Sequence, residues 1–566
     1  MNIPKFNFKK IKLDYKYEFK RFHLVVAAFV ITLAAPFILR PSDARSSKDA
    51  DITVVVVTPH SETIRHEFAI GFAAYVKKNY GKKAHVDWRT PGVGTSEIER
   101  YVASLYRSAF KQHWRNELGG KWSEREIGDN FNNKRITVPE KRDDDTPAQR
   151  ARRVFLDSDI GIGIDVFFGG GAYPFQQFAA KGYLVDSGVF EKHPEWAKED
   201  VIPNQFSGEP YYDSQHRWIG SCISSFGICY NPDTVKRVSA LREGNMPTTW
   251  DDLGSPRFYK SIAIADPTKS GSVTKAFEML IQQKMRQALD ATVIPEDADD
   301  EERGELTRDA LENGWEAGLN LIQDICANAR YFTDSATKIP LDVAQGDAAA
   351  GMCIDFYGRT YNERLRRPDG TSRVEFVIPE GGSSMGVDPI AMFRGADKQV
   401  AQMFIEFVLS KDGQKLWNYK VGTPGGPTKA ALRRLPVRKD MYTPEHLAHF
   451  SDPEALPFEK GDQFKYVSGW TGPTFGSMRF IVQVMCLDIH HELQETWALL
   501  SRTGFPERAT KTFHNVKLVD YGSALNSIRT TISSEDKMVT IRAAQRLSQH
   551  FKRNYAMARE QALRGE

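Results

Sequence analysis

Residues 51–58 read DITVVVVT, a β-branched run without polar alternation, which marks a strand buried on both faces. Ile64, Phe68, Phe72, Tyr75 and Val76 follow at helical spacing, with Ser61 at the N-cap position and Asn79-Tyr80-Gly81 as a stop. Residues 84–88 read as a second strand. The loop Pro91 to Ser96 opens a helix over 97–110, and 159–168 read as a buried strand ending in Gly169-Gly170-Gly171. The pattern resumes after residue 247, with strands over 261–265, 348–354, 374–378 and 387–393. Helices fall over 276–285, 314–329, 398–409 and 413–420. Alternation of this kind predicts an α/β fold with a mostly parallel sheet.

Two stretches interrupt it. Residues 114–155 are polar and weakly periodic and read as an insertion on a loop. Residues 290–309 carry nine acids against Arg303 and Arg308 and read as a solvated surface segment. From 431 to 566 the pattern changes to Pro-rich links and long helical stretches near 478–501 and 539–560, a helical C-terminal extension.

The N-terminus adds an address. Lys5, Lys9, Lys10, Lys12, Lys16, Lys20 and Arg21 precede a charge-free run over 23–39. A basic flank before an apolar core spells an export signal or a retained membrane anchor, with the positive flank left in the cytoplasm. Ser42-Asp43-Ala44 is a weak cleavage site for the first of these. The organisation expected is a signal or anchor over 1–50, a first lobe over 51–217 and a hinge crossing with a second lobe over 218–373. A return crossing with closing helices spans 374–430, and the extension spans 431–566.

Composition then excludes classes. The 566 residues are 41% apolar and 26% charged, an ordinary globular balance. Net charge is +3, so there is no basic footprint for nucleic acid. Cys222, Cys229, Cys326, Cys353 and Cys486 share no CxxC spacing, which excludes a paired-CxxC zinc site and favours buried thiols.

Candidate chemistry lies where strands run into helices. Thr58-Pro59-His60-Ser61, Gly94-Thr95-Ser96 and Ser270-Gly271-Ser272 put Gly and hydroxyls at such junctions. Free N–H groups of a first helical turn and the helix dipole favour an anion there. In open α/β sheets ligands sit at the carboxyl ends of strands. No GxxxxGK[ST] loop is present. Gly382-Ser383-Ser384-Met385-Gly386 matches GxSxG, but a strand reads on after it, against a hydrolase elbow. His490-His491-Glu492 lacks HExxH spacing.

The order of these motifs resembles the periplasmic solute-binding proteins of ABC importers, in the branch that binds ferric iron, phosphonates and sugar phosphates. It is carried by Thr58 to Glu62, Asp165-Val166-Phe167-Phe168, Trp218 to Asn231, Pro267 to Ser272, Gly346 to Tyr357 and Phe404 to Trp417. The resemblance implies two α/β lobes joined by hinge strands, here with a signal or anchor helix and the helical extension added. It implies no catalysis and no cofactor. The partners implied are a small anionic solute, an ABC permease and, if the N-terminus is uncleaved, the membrane. Iron binders of the branch use a His where His60 stands. Gly170 stands where they carry an acid, and Phe356-Tyr357 keeps one of their two tyrosines, after Asp355. Ferric iron prefers anionic oxygen ligands, so these losses favour a phosphorylated or phosphonate-type ligand. The expected binding residues are His60, Ser61, Thr95, Ser96, Gly170, Gly171, Ser224, Ser225, Ser270, Gly271, Ser272, Asp355 and Tyr357. The alternatives are an iron site using His60, Asp355 and Tyr357, and an anchored sensory or interaction protein. Capture would proceed by hinge closure.

Overall fold

A computed structural model describes His23, residues 26–30, Thr32 and residues 49–566, except Val93, residues 239–244 and Glu535. The chain forms two units, Met1–Asp51 and Ile52–Glu566. The described residues of the first include helical turns with Val26, Phe29 and Val30 exposed. The whole basic flank, part of the apolar run and Ser42-Asp43-Ala44 lie outside the described residues. Among those described, no helix is long and apolar enough to cross a membrane.

The second unit holds two large sheets. The β-branched run becomes β1 (Ile52–Val57), paired in parallel with β2 (Ala84–Arg89) and β3 (Val166–Phe168). β4 (Leu184–Val185) follows, then a hairpin of β5 (Gln205–Phe206) and β6 (Glu209–Pro210). β7 (Ile219–Ser224) and β8 (Phe226–Tyr230) form one stretch broken at Ser225. The second lobe adds β9 (Ile262–Ala265), β10 (Ala329–Thr333), β11 (Ala350–Ile354) and β12 (Glu375–Val377). β13 (Gly386–Phe393) and β14 (Leu435–Pro436) return to the first. The first sheet runs β14-β7-β13-β3-β1-β2, with β4 on β13; the second runs β10-β9-β11-β8-β12. The sheet strands therefore cross between lobes twice, from β7 to β8 and from β12 to β13, and after β14 the chain passes once more to the second lobe.

The sheets are mixed rather than mostly parallel. β13 is antiparallel to β3, β4 and β7, and β8 is antiparallel to β11 and β12. A strand that leaves one lobe and returns to it runs against the strands it rejoins, which strand–helix alternation does not reveal.

The helices that matter for the site are α1 (Glu62–Tyr80), α2 (Thr95–Asn116), α3 (Ala172–Lys181), α4 (Gly271–Ala291), α5 (Asp300–Ala327) and α6 (Asp355–Arg364). α7 (Lys398–Leu409) and α8 (Lys411–Asn418) close the first lobe. The extension contributes α9 (Phe475–Val482), α10 (His490–Thr503) and α11 (Lys537–Arg564).

Both interruptions fold. The acids of 290–309 are exposed, as expected, and they also start a helix: Asp299 caps α5 by accepting from Glu302 N–H, and Asp300, Glu301 and Glu302 fill its first turn. Acids there meet the positive end of the helix dipole, so the solvated cluster doubles as a helix start. The polar stretch contains a helix over Pro147–Asp157 with a Thr146–Gln149 capping box, and its Phe131 stacks on Phe110 at 4.6 Å.

Two cores result. One fills the first lobe. The other joins the second lobe to the extension, uniting Trp315, Ile322 and Cys326 of α5 with Ile481, Leu493, Trp497 and Tyr555. The extension thus starts in the first lobe, where Leu432, Leu435 and Val437 join its core, and from α9 on is built into the second lobe. All five cysteines are buried free thiols.

Candidate functional site

Four helix N-termini meet at one cavity of about 490 Å³ lined by both lobes, a volume suited to a small ligand. Pro59, His60 and Ser61 lead into α1, Gly94 and Thr95 into α2, Gly170 and Gly171 into α3, and Ser270, Gly271 and Ser272 around the start of α4. Each first turn leaves N–H groups without intrahelical acceptors and a partial positive charge. Ser270 Oγ accepts from Val273 N–H, fixing the start of α4, whereas Ser61 makes no side-chain capping bond.

Glycine is required before α3. Gly169 and Gly170 sit at φ +85° and +109°. A Cβ on Gly169 would lie 2.3 Å from the His60 ring, and one on Gly170 would lie 2.5 Å from the Thr95 methyl. The acid that iron binders carry in place of Gly170 would meet both the backbone strain and the clash.

His60 is held by Thr58, whose hydroxyl donates to Phe168 C=O at 2.6 Å and accepts from His60 N–H at 3.0 Å. Neither imidazole nitrogen has a hydrogen-bond partner. Asp388 is 4.0 Å from Nε2, too far for a hydrogen bond. Burial, then the nearby Arg434 and Arg65 charges, push the His60 pKa well below its usual value, so the ring is neutral at pH 7. Arg434 pairs with the buried Asp388 and lies 3.9 Å over the Phe356 ring. Burial raises Tyr357 to about 12, against the opposing charge of Arg434, which keeps it a phenol.

A second charged group spans the lobes. Lys275 of α4 reaches Glu209 of the first lobe at 2.7 Å and Glu278 at 2.9 Å, and lies 3.9 Å over the Tyr466 ring. Burial works against the ammonium, but the two carboxylates outweigh it and raise its pKa. Arg479 of α9 donates to Ser96 Oγ at 2.7 Å and to the carbonyls of Pro267 and Thr268 at 2.7 and 3.2 Å. These acceptors are all neutral. Glu99 is a neighbour whose carboxyl burial raises, while Arg479 pulls it back.

Of the residues expected from sequence, His60, Ser61, Thr95, Gly170, Gly171, Ser224, Ser270, Gly271, Ser272 and Tyr357 line the cavity. Ser96, Ser225 and Asp355 do not. Ser96 accepts from Arg479. The buried Ser225 hydroxyl has no hydrogen-bond partner, and Asp355 pairs with Arg359 at 2.6 Å. Sequence reading missed Glu209, Lys275, Glu278, Asp388, Arg434, Tyr466 and Arg479. Only the i, i+3 spacing of Lys275 and Glu278 on the helix after Ser270 signals any of them.

The profile of the bacterial extracellular solute-binding proteins matches residues 159–444, just over half of the chain. The chain belongs to this family, the type II periplasmic binding proteins of ABC importers. A relative in Haemophilus influenzae, described as an uncharacterized protein, is 24% identical over 257 residues, 44% of this chain. The match spans 60% of that relative's length. Among solved structures, AfuA from Actinobacillus pleuropneumoniae with fructose 6-phosphate aligns at TM-score 0.39 and 16% identity, covering 65% of this chain and 82% of AfuA. Iron-bound HitA from Pseudomonas aeruginosa aligns at 0.42 and 15%, covering 76% and 98%. These structural likenesses are loose, and the assignment rests on the family profile.

The solute-binding protein's remaining motifs have ordinary places. Ser384 lies between β12 and β13 and donates to Glu209 at 2.8 Å, so the strand-to-helix turn of a nucleophile elbow is absent there. His490 Nε2 contacts Cys326 C=O at 3.1 Å, and His491 contacts Glu495 at 3.1 Å.

Proposed function

We propose that this solute-binding protein captures a small phosphorylated or phosphonate-type anion outside the inner membrane and delivers it to an ABC permease. The observation that carries the reading is the meeting of four helix N-termini with Arg479, a cation satisfied only by neutral oxygens, on one cavity. Formal charge alone would not favour an anion. The lining has Lys269, Lys275, Arg434 and Arg479 against Glu99, Glu209, Glu278, Asp334 and Asp388. Four of these acids are engaged, by Lys269, Lys275 and Arg434. What is left to meet a ligand is N–H groups, hydroxyls, the Glu99 carboxyl beside Arg479, and Arg479 itself, whose guanidinium suits phosphate geometry. The neutral His60 ring offers a donor to the same ligand.

Ferric iron suits the site less well. His60 and Tyr357 share their surroundings with the Arg434 cation, and Gly170 replaces an acid. Among the described residues, no three His, Cys, Asp or Glu side chains are grouped to hold a metal ion.

Native mass spectrometry with elemental analysis of the purified chain tests this. A bound phosphorus-containing metabolite at one equivalent is the expected result. Stoichiometric iron without such a metabolite would reverse the ligand assignment.

A further inference from the structure

Residues 464–479 form a third wall of the cavity and are bonded to both lobes. On the first lobe, Tyr466 N–H donates to Ser207 C=O at 2.9 Å and Ser207 Oγ donates to Phe464 C=O at 2.6 Å. Arg479 reaches Ser96, and Phe475 stacks on Tyr173 with ring centroids 4.4 Å apart. On the second lobe, Tyr466 and Thr471 hydroxyls donate to Glu278 at 2.8 and 2.7 Å. Gln282 and Val467 exchange two bonds of 2.9 Å, and Arg479 holds Pro267 and Thr268 carbonyls.

The two attachments differ in kind. The second-lobe side continues into a shared apolar core through Met478 and Ile481. The first-lobe side is three hydrogen-bonded contacts and one ring stack. If the lobes separate, the segment stays with the second lobe and the contacts to Ser96, Tyr173 and Ser207 break. The Lys275–Glu209 pair, also interlobe and largely out of water, breaks with them.

We propose that residues 464–479 are a strap that holds the cleft closed before any ligand arrives, and that Arg479 is also a ligand-binding residue supplied by the strap. Closure is then built into the chain, and ligand exchange requires release of the strap from the first lobe. The ligand half rests on the proposed anion-binding function. The strap half does not.

The test uses the full chain. Small-angle scattering of ligand-free protein is compared with the Ser96→Ala/Tyr173→Ala double variant, which alters only the first-lobe side of the strap. The expected result is a compact wild type whose radius of gyration is unchanged by phosphate compounds, and a variant with a larger radius. Equal radii for variant and wild type, or a ligand-free wild type that contracts on adding a ligand, would overturn the strap. If the double variant fails to fold, Arg479→Lys, which keeps charge but loses the fork, answers the same question. For the ligand half, binding of inorganic phosphate and a set of sugar phosphates is measured for wild type and Arg479→Ala. At least a tenfold loss is expected, and equal affinity would remove Arg479 from the site. A wild type that binds none of these probes would sink the anion reading, while the scattering result would still decide the strap.

Discussion

Arg434 and Arg479 line the same cavity and are held in opposite ways. Arg434 is buried against Asp388, stacked on Phe356 and next to the neutral His60 and Tyr357. Its charge is spent inside the protein. Arg479 is partly exposed and anchored on a serine hydroxyl and two carbonyls. Its charge is oriented by neutral acceptors, with Glu99 as a neighbour but no carboxylate hydrogen-bonded to it. A buried ion pair contributes little net stability, yet breaking it is costly because one charge is left behind. A cation fixed by neutral acceptors keeps its attraction for an incoming anion. The difference separates residues that shape the cavity from residues that recognise what enters it.

This comparison can be broken most sharply at Asp388. Asp388→Asn leaves the buried Arg434 guanidinium without its counter-charge, and a loss of about 3–5 kcal/mol in denaturant-unfolding stability is expected. A loss below about 1 kcal/mol would show that Arg434 is solvated and free to bind ligand. Next comes Lys275→Met, which leaves Glu209 and Glu278 facing each other without a cation. A loss of roughly 3 kcal/mol is expected in urea unfolding at pH 7. A loss below about 1 kcal/mol would mean that the two acids are not held together through Lys275.

Gly170→Ala should cost about 1–3 kcal/mol in thermal unfolding, because Ala is strained at a φ of +109° and its methyl meets Thr95. The smallest effect is the pH response of His60. Its pKa is depressed in the folded state, so as pH falls below about 6.5 the unfolded chain takes up a proton before the folded one. Stability from this group is complete above that value and is lost as pH falls toward the folded pKa, at up to about 1.4 kcal/mol per pH unit. His60→Gln should remove that slope. A variant with the wild-type pH profile would mean His60 is not buried neutral.

Much of the scaffold was legible in the chain because it follows from period and punctuation. The β-branched run at β1, the stop at Gly81 and the glycines before α3 each report a local backbone need. The junctions at Ser61, Thr95 and Ser270 pointed to the cavity because helix N-termini are local too. What stayed hidden depends on long-range closure. Lys275 meets Glu209 only after the chain has crossed from β7 to β8, and Arg479 meets Ser96 only after the extension has folded back. No periodicity encodes those encounters. The acidic run is solvated, as its charge density implies, and only its further role at the start of α5 stayed hidden, because that depends on a helix beginning inside it.

The most direct test of an anion-binding cleft is a calorimetric titration of the full chain with inorganic phosphate, a set of sugar phosphates and ferric citrate. Saturable one-to-one binding of at least one phosphate compound, tighter at low than at high salt, is the expected result. Tight ferric binding with a tyrosinate absorption band from Tyr357, and no binding of any phosphate compound, would contradict it.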